Sequence, residues 1–106
     1  MLRAVIHMLL HFAVPALVAR TCYRQIFLRA WLIMIATMLV DLDHLLASPM
    51  YDPDRCSIGF HPLHQYPAIA VYLLLTAVPR TRILGVGLMI HMMLDGIDCA
   101  WMNYEL

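Results

Sequence analysis

Ionisable residues set inside apolar sequence constrain this chain more than any other feature. His7 and His11 fall within the apolar stretch 4–19. Asp41, Asp43 and His44 fall within 26–47, and His91, Asp95 and Asp98 within 83–101. A further apolar stretch covers 67–78. Stretches of this length and character read as helices. Proline suits a first helical turn, so the third helix is extended back to Pro62, and Pro15 is expected to bend the first. The expected helices cover about residues 4–19, 26–47, 62–79 and 83–102. Most links between them are short, which makes sequential helices antiparallel neighbours. The predicted fold is all-α: a single domain over 1–106, an integral membrane four-helix bundle running up-down-up-down.

The membrane assignment rests on surface area. Hydrophobic residues make up 63% of the 106 residues and charged residues 13%, with no lysine; ordinary soluble domains carry about 25% charged residues. A soluble domain this small leaves much of its surface in water, and seven arginines, six aspartates and one glutamate cannot cover it. Lipid covering most of the outside resolves the difficulty. Stretches one and three are short against the roughly 20 residues of a full span, so either the bilayer thins or the helices extend into their flanks. One arginine followed by an apolar run also fits a cleaved signal peptide. However, His7 and His11 interrupt that run, and Arg20 and Thr21 spoil a small-residue cleavage site.

An up-down path separates the charges. Arg20, Arg24, Arg29, Arg80 and Arg82 gather at one end. The histidines, together with Asp41, Asp43, Asp52, Asp54, Asp95 and Asp98, gather at the other, joined there by Arg3 and Arg55. The arginine-rich end faces the cytoplasm by the positive-inside rule, so both termini and the His/Asp end face outward. Net charge is zero with neutral histidines, and nothing suggests nucleic acid as a partner. Cys56 and Cys99 share the outer end, where an oxidising compartment permits a disulfide; two free buried thiols are the equal alternative.

Helical steps of three and four residues place His7 with His11, Asp41 with His44, and His91 with Asp95 and Asp98 on common faces. Asp43 points away from Asp41 on a regular α-helix but lies near the helix end, where it can still turn inward. An ionised aspartate within a bilayer costs about 2.5–3.5 kcal/mol, and most arginines lie at the far end. A divalent cation is the better counter-charge. Imidazole nitrogen with carboxylate oxygen suits Zn2+, with Mn2+ or Fe2+ as alternatives. The expected metal ligands are His11, Asp41, His44, His64, His91 and Asp95, with His61 as a further candidate, held extended by the proline after it; these are too many for one tetrahedral ion, so either two ions bind or several of the residues only orient the ligands. Asp43 and Asp98 are expected to orient ligands or act as the general base of catalysis. His7 is the weakest member of the set: one turn nearer the membrane surface than His11, it also fits an interfacial position. The competing reading is a buried His–Asp hydrogen-bond network without metal.

These residues carry a resemblance. Asp41-Leu42-Asp43-His44, His61-Pro62-Leu63-His64 and His91-Met92-Met93-Leu94-Asp95 resemble the segments of bacterial inner-membrane metal-dependent hydrolases. The sequence departs from that group at Val40, where the group has proline, and at Pro62-Leu63, a shorter spacer between the two histidines. It is most similar to a small family of unknown function with nearly this layout, including Asp-Pro-x-Arg-Cys at 52–56 and the pair Asp98-Cys99. A more distant likeness, in motif shape alone, is to the all-helical zinc phospholipase C and nuclease group. The resemblance implies a multi-pass protein of the bacterial inner membrane with a metal site and, more weakly, hydrolase activity; the site's level near the outer headgroups makes a lipid ester or phosphoester the natural substrate. The alternatives are a metal-binding protein that senses or delivers ions without catalysis, and a structural partner. The inner half is too apolar for an ion path through one chain. The sequence leaves open whether the small bundle forms a homo-oligomer.

Overall fold

The computed structural model describes residues 2–46 and 55–105; Asp52 and Asp54 lie outside them, as does the expected end of helix two at Ala47. Among the described residues the chain is all-helical. Helix α1 covers Leu2–Cys22, α2 Phe27–Ala36, α3 Tyr66–Ala77 and α4 Arg82–Glu105, with short 3-10 turns at Arg24–Ile26, Pro62–His64 and Pro79–Thr81. Helix α4 packs against each of the other three, and α1 also packs against α2.

Two glycines let α4 come close to its neighbours. A Cβ on Gly87 would stand 2.9 Å from the Met34 Cα and from the Thr37 Cγ2, so a bare backbone is what allows α4 onto α2. A Cβ on Gly85 would run into the Thr76 backbone of α3. Below these crossings Ala19, Ala30 and Met34 form one apolar core with Trp31, Ile83 and Val86 around them. Trp31 Nε1 donates to the Phe12 carbonyl at 3.1 Å, tying α2 to α1. A second apolar core, Tyr72, Leu88 and Met92, joins α3 to α4. The Arg82 guanidinium donates to the Thr76 and Ala77 carbonyls, closing the C-terminal end of α3 with the charge that a helix terminus favours.

The second helix does not stay α-helical. From Thr37 to Leu46 it is a 3-10 helix of ten residues, far beyond the three or four usual for that form. The change begins where the buried Thr37 hydroxyl donates back to the Met34 carbonyl, a bond that bends helices. Its consequence is angular. Two residues apart is about 200° on an α-helix but about 240°, or 120° the other way, on a 3-10 helix. Asp43 therefore turns inward beside Asp41 rather than lying opposite it, the alternative that its place near the helix end left open.

Helix α3 also starts later than expected. Pro62–His64 is a separate 3-10 turn, and extended Gln65 (φ −85°, ψ 163°) interrupts the run before the helix restarts with a proline in its first turn. At 12 residues it rises only about 18 Å. The outer surface is apolar, with Leu9, Leu17, Leu28, Leu32, Leu39, Leu73 and Leu74 among the exposed side chains. Three helical stretches are long and apolar enough to cross a membrane: Leu2–Cys22, Arg24–Leu46 and Pro79–Asn103.

Candidate metal centre

The interior between α1, α4, the 3-10 part of the second helix and the Pro62–His64 turn is polar. His11, Asp43, His61, His64, His91 and Asp95 are all buried there, His64 with no exposed surface at all. Burying that many polar groups is costly unless each finds a partner, so their partners define the site.

Four donor atoms converge at its centre. His64 Nε2 lies 3.3 Å from His91 Nε2, 3.3 Å from Asp41 Oδ1 and 2.9 Å from Asp95 Oδ2. His91 Nε2 lies 3.1 Å from Asp41 Oδ1 and 3.2 Å from Asp95 Oδ2. Ligands on a tetrahedral zinc ion, at 2.0–2.2 Å from it, stand roughly 3.3–3.6 Å apart. The cluster matches that spacing or falls slightly inside it, and its donors are of the type zinc takes.

The hydrogen bonds on the far side of the rings set which nitrogen faces inward. His64 Nδ1 donates to Asp43 Oδ2 at 2.9 Å, and the Leu63 amide donates to the same oxygen at 2.9 Å. The Leu63 carbonyl accepts from the Tyr72 hydroxyl at 2.7 Å. Asp43 and Tyr72 thus clamp the backbone before His64 from two sides. Further back, Gly59, with φ +81°, bonds through its amide to the His64 carbonyl. His11 Nδ1 donates to the His7 carbonyl at 2.8 Å. A ring whose Nδ1 carries the proton presents a lone pair at Nε2. Burial alone pulls the His64 imidazole down, but the adjacent carboxylates of Asp41, Asp95 and Asp43 outweigh it and push its pKa up to about 10. Without a cation, a proton on His64 balances those carboxylates.

Asp95 serves two groups of histidines. Its Oδ2 faces His64 and His91, whereas its Oδ1 lies 3.0 Å from His7 Nε2 and 3.4 Å from His11 Nε2. His11 Nε2 and Asp95 Oδ2 are buried and make no geometrically sound hydrogen bond. His7 is therefore closer to the centre than an interfacial residue. The signal for it was its four-residue spacing from His11.

His44 and His61 lie on the other side of Asp43. Their rings stack at 3.8 Å, His44 Nδ1 donates to the Asp41 carbonyl at 2.9 Å, and Asp43 Oδ2 is engaged by His64 and Leu63 while its buried Oδ1, 3.3 Å from His44 Nδ1, makes no hydrogen bond. Burial, then the neighbouring His44, holds the His61 pKa below its ordinary value. With Asp43 these two form a third group of donors, but stacked rings do not aim lone pairs at a common point as His64 and His91 do.

Asp98 lies 3.3 Å from Arg3 Nε. Both line a cavity of about 210 Å³ that also touches His7, Asp41, Asp95 and Arg55. Sequence reasoning assigned neither arginine to the site. Cys56, in the loop leading to His61 and His64, and Cys99 of α4 stand at disulfide-bonding distance, their Cα atoms 5.0 Å apart.

No curated protein and no solved structure matches the chain. Its likeness is to a sequence family: residues 1–102 match the Family of unknown function (DUF6122), and the chain belongs to that family.

Proposed function

We propose that this chain is a multi-pass membrane protein, its helices running up and down, that holds a divalent ion at its outer end and hydrolyses an ester or phosphoester of a membrane lipid. The observation that carries the reading is the facing pair of Nε2 atoms, His64 and His91, 3.3 Å apart between the carboxylates of Asp41 and Asp95. Two imidazole nitrogens at that distance need either a shared proton or a cation between them. Asp43 already holds His64 in the tautomer a cation needs.

The residues fit Zn2+, with Mn2+ or Fe2+ as alternatives. Such an ion supplies Lewis acidity and brings the pKa of water toward about 7. The chain's own residues do the rest. Asp41, His64, His91 and Asp95 would hold the ion, and Asp43 orients His64. Arg3 and Arg55 line the cavity beside Asp41 and Asp95, a placement that suits an anionic group such as a phosphoester. Asp98, in the same cavity and paired with Arg3, is within reach of a proton there. The three long apolar stretches and the five exposed arginines at 20–29 and 80–82 support an inner membrane with the site on the outer side.

The test is metal analysis of the detergent-purified chain, followed by hydrolysis assays on a panel of lipid esters and phosphoesters with and without chelator. Stoichiometric metal and chelator-sensitive hydrolysis are expected, both lost in Asp41→Asn and His91→Gln. A metal-free protein refutes the reading. One observation favours a second reading, metal binding without catalysis: four protein donors saturate a tetrahedral ion, as in closed structural sites. Bound metal with no hydrolysis of any substrate in the panel is the outcome that reading expects.

A further inference from the structure

We infer that the centre is dinuclear, with a second divalent-ion site formed by His7, His11 and Asp95 and with the Asp95 carboxylate bridging the two ions. The inference rests on the metal reading above and adds a position to it. Asp95 presents its two oxygens to two separate pairs of imidazoles. Oδ2 meets His64 and His91 at 2.9 and 3.2 Å; Oδ1 meets His7 and His11 at 3.0 and 3.4 Å. A carboxylate that served one ion alone would leave two histidines around its other oxygen without a purpose. His11 is buried, its Nδ1 is spent on the His7 carbonyl, and its Nε2 has no hydrogen bond. An orphaned imidazole nitrogen aimed at a carboxylate oxygen is a costly arrangement that a cation between them relieves.

The two sites differ in what they leave open. The first has four protein donors. The second has three, and although Asp41 of the first site also reaches the cavity that holds Arg3, Arg55 and Asp98, only the second site, through His7 and Asp95, has a position left to offer it. Three protein ligands with a fourth position facing a cavity is the pattern of catalytic zinc sites, and paired ions sharing a bridging ligand are a recurrent arrangement for phosphoester hydrolysis. The substrate-facing ion is therefore the one held by His7 and His11, while the first positions Asp95. The separate group of His44, His61 and Asp43 is the weaker candidate, because its rings stack, His44 Nδ1 is spent on the Asp41 carbonyl and Asp43 has only Oδ1 left to offer.

The test loads the full chain in detergent with Zn2+ and, separately, with Mn2+. Two zinc ions per chain are expected, falling to one in the double variant His7→Ala/His11→Gln. The wild-type Mn2+ form is expected to show the electron paramagnetic resonance spectrum of a magnetically coupled pair, which needs no variant to fold. One ion per chain, an uncoupled Mn2+ spectrum, or two ions that persist in the double variant each overturn the dinuclear centre. A single ion that His91→Gln removes leaves the first site standing, whereas no bound metal at all refutes both.

Discussion

Asp43→Asn tests the site at a residue that touches no proposed ion. Asp43 Oδ2 accepts from His64 Nδ1 and from the Leu63 amide, both at 2.9 Å, while Oδ1 lies 3.3 Å from His44 Nδ1. The amide has the same size but no orientation that suits all three neighbours. With its oxygen toward His64 and Leu63, its NH2 meets a His44 Nδ1–H already donating to the Asp41 carbonyl. Flipped, its NH2 meets two donors. In either orientation the charge-assisted bond to His64 is lost, and such bonds are roughly twice as strong as neutral ones. Because the position is buried, the conflict should cost the metal-free protein about 1–3 kcal/mol. Loosening the partner of a metal-binding imidazole typically weakens metal affinity about 10–100-fold, or about 1.4–2.7 kcal/mol. The assay is competition for Zn2+ against a chelating dye in detergent, with circular dichroism on the same samples. His64→Gln should cost more, and Asp43→Asn should add little in that background, since the two act on one interaction. A folded Asp43→Asn protein with Zn2+ affinity within about threefold of wild type would refute the claim that Asp43 works through His64.

Three further outcomes follow from the same geometry. In the metal-free protein His64 has its pKa raised to about 10 from 6.5, so its stabilising charge is fully present below pH 6.5 and is lost as pH rises through about 10. Zn2+ must displace that proton, so affinity should rise at least about tenfold per pH unit between pH 6.5 and 9, measured by dye competition across that range; a flat profile contradicts it. Gly87→Ala should lower the thermal midpoint in detergent by an amount corresponding to about 1–3 kcal/mol, because its Cβ would meet the Met34 Cα and the Thr37 Cγ2 at 2.9 Å. Gly96→Ala, whose Cβ meets nothing within 4 Å, should not lower it. Cys56→Ser/Cys99→Ser opens a cross-link between residues 43 apart in sequence, which by loop entropy is worth about 4 kcal/mol; the same change should weaken Zn2+ binding, since the link holds the His64 loop against α4.

The helices and the polar end were legible in the sequence because both depend on local pattern. Apolar runs of helical length need only composition and the absence of breakers, and the order of short links decides which end each histidine reaches. Spacing alone put His91 and Asp95 on one face, since steps of three and four residues meet whatever the tertiary context, and the up-down path brought His11, Asp41 and His64 to the same end. What spacing could not supply was rotation and pairing. The inward turn of Asp43 depends on ten residues of 3-10 helix after Thr37, a departure that sequence periodicity does not signal. His7 reads as interfacial when counted along α1 and becomes a neighbour of Asp95 only when α1 packs on α4. His44 and His61 share the motif of the central residues, yet their rings stack on the far side of Asp43. The physical reason is common to all three. Sequence periodicity fixes a side chain's angle about its own helix, whereas the direction of an imidazole lone pair depends on the neighbour that holds its other nitrogen, and that neighbour comes from another segment.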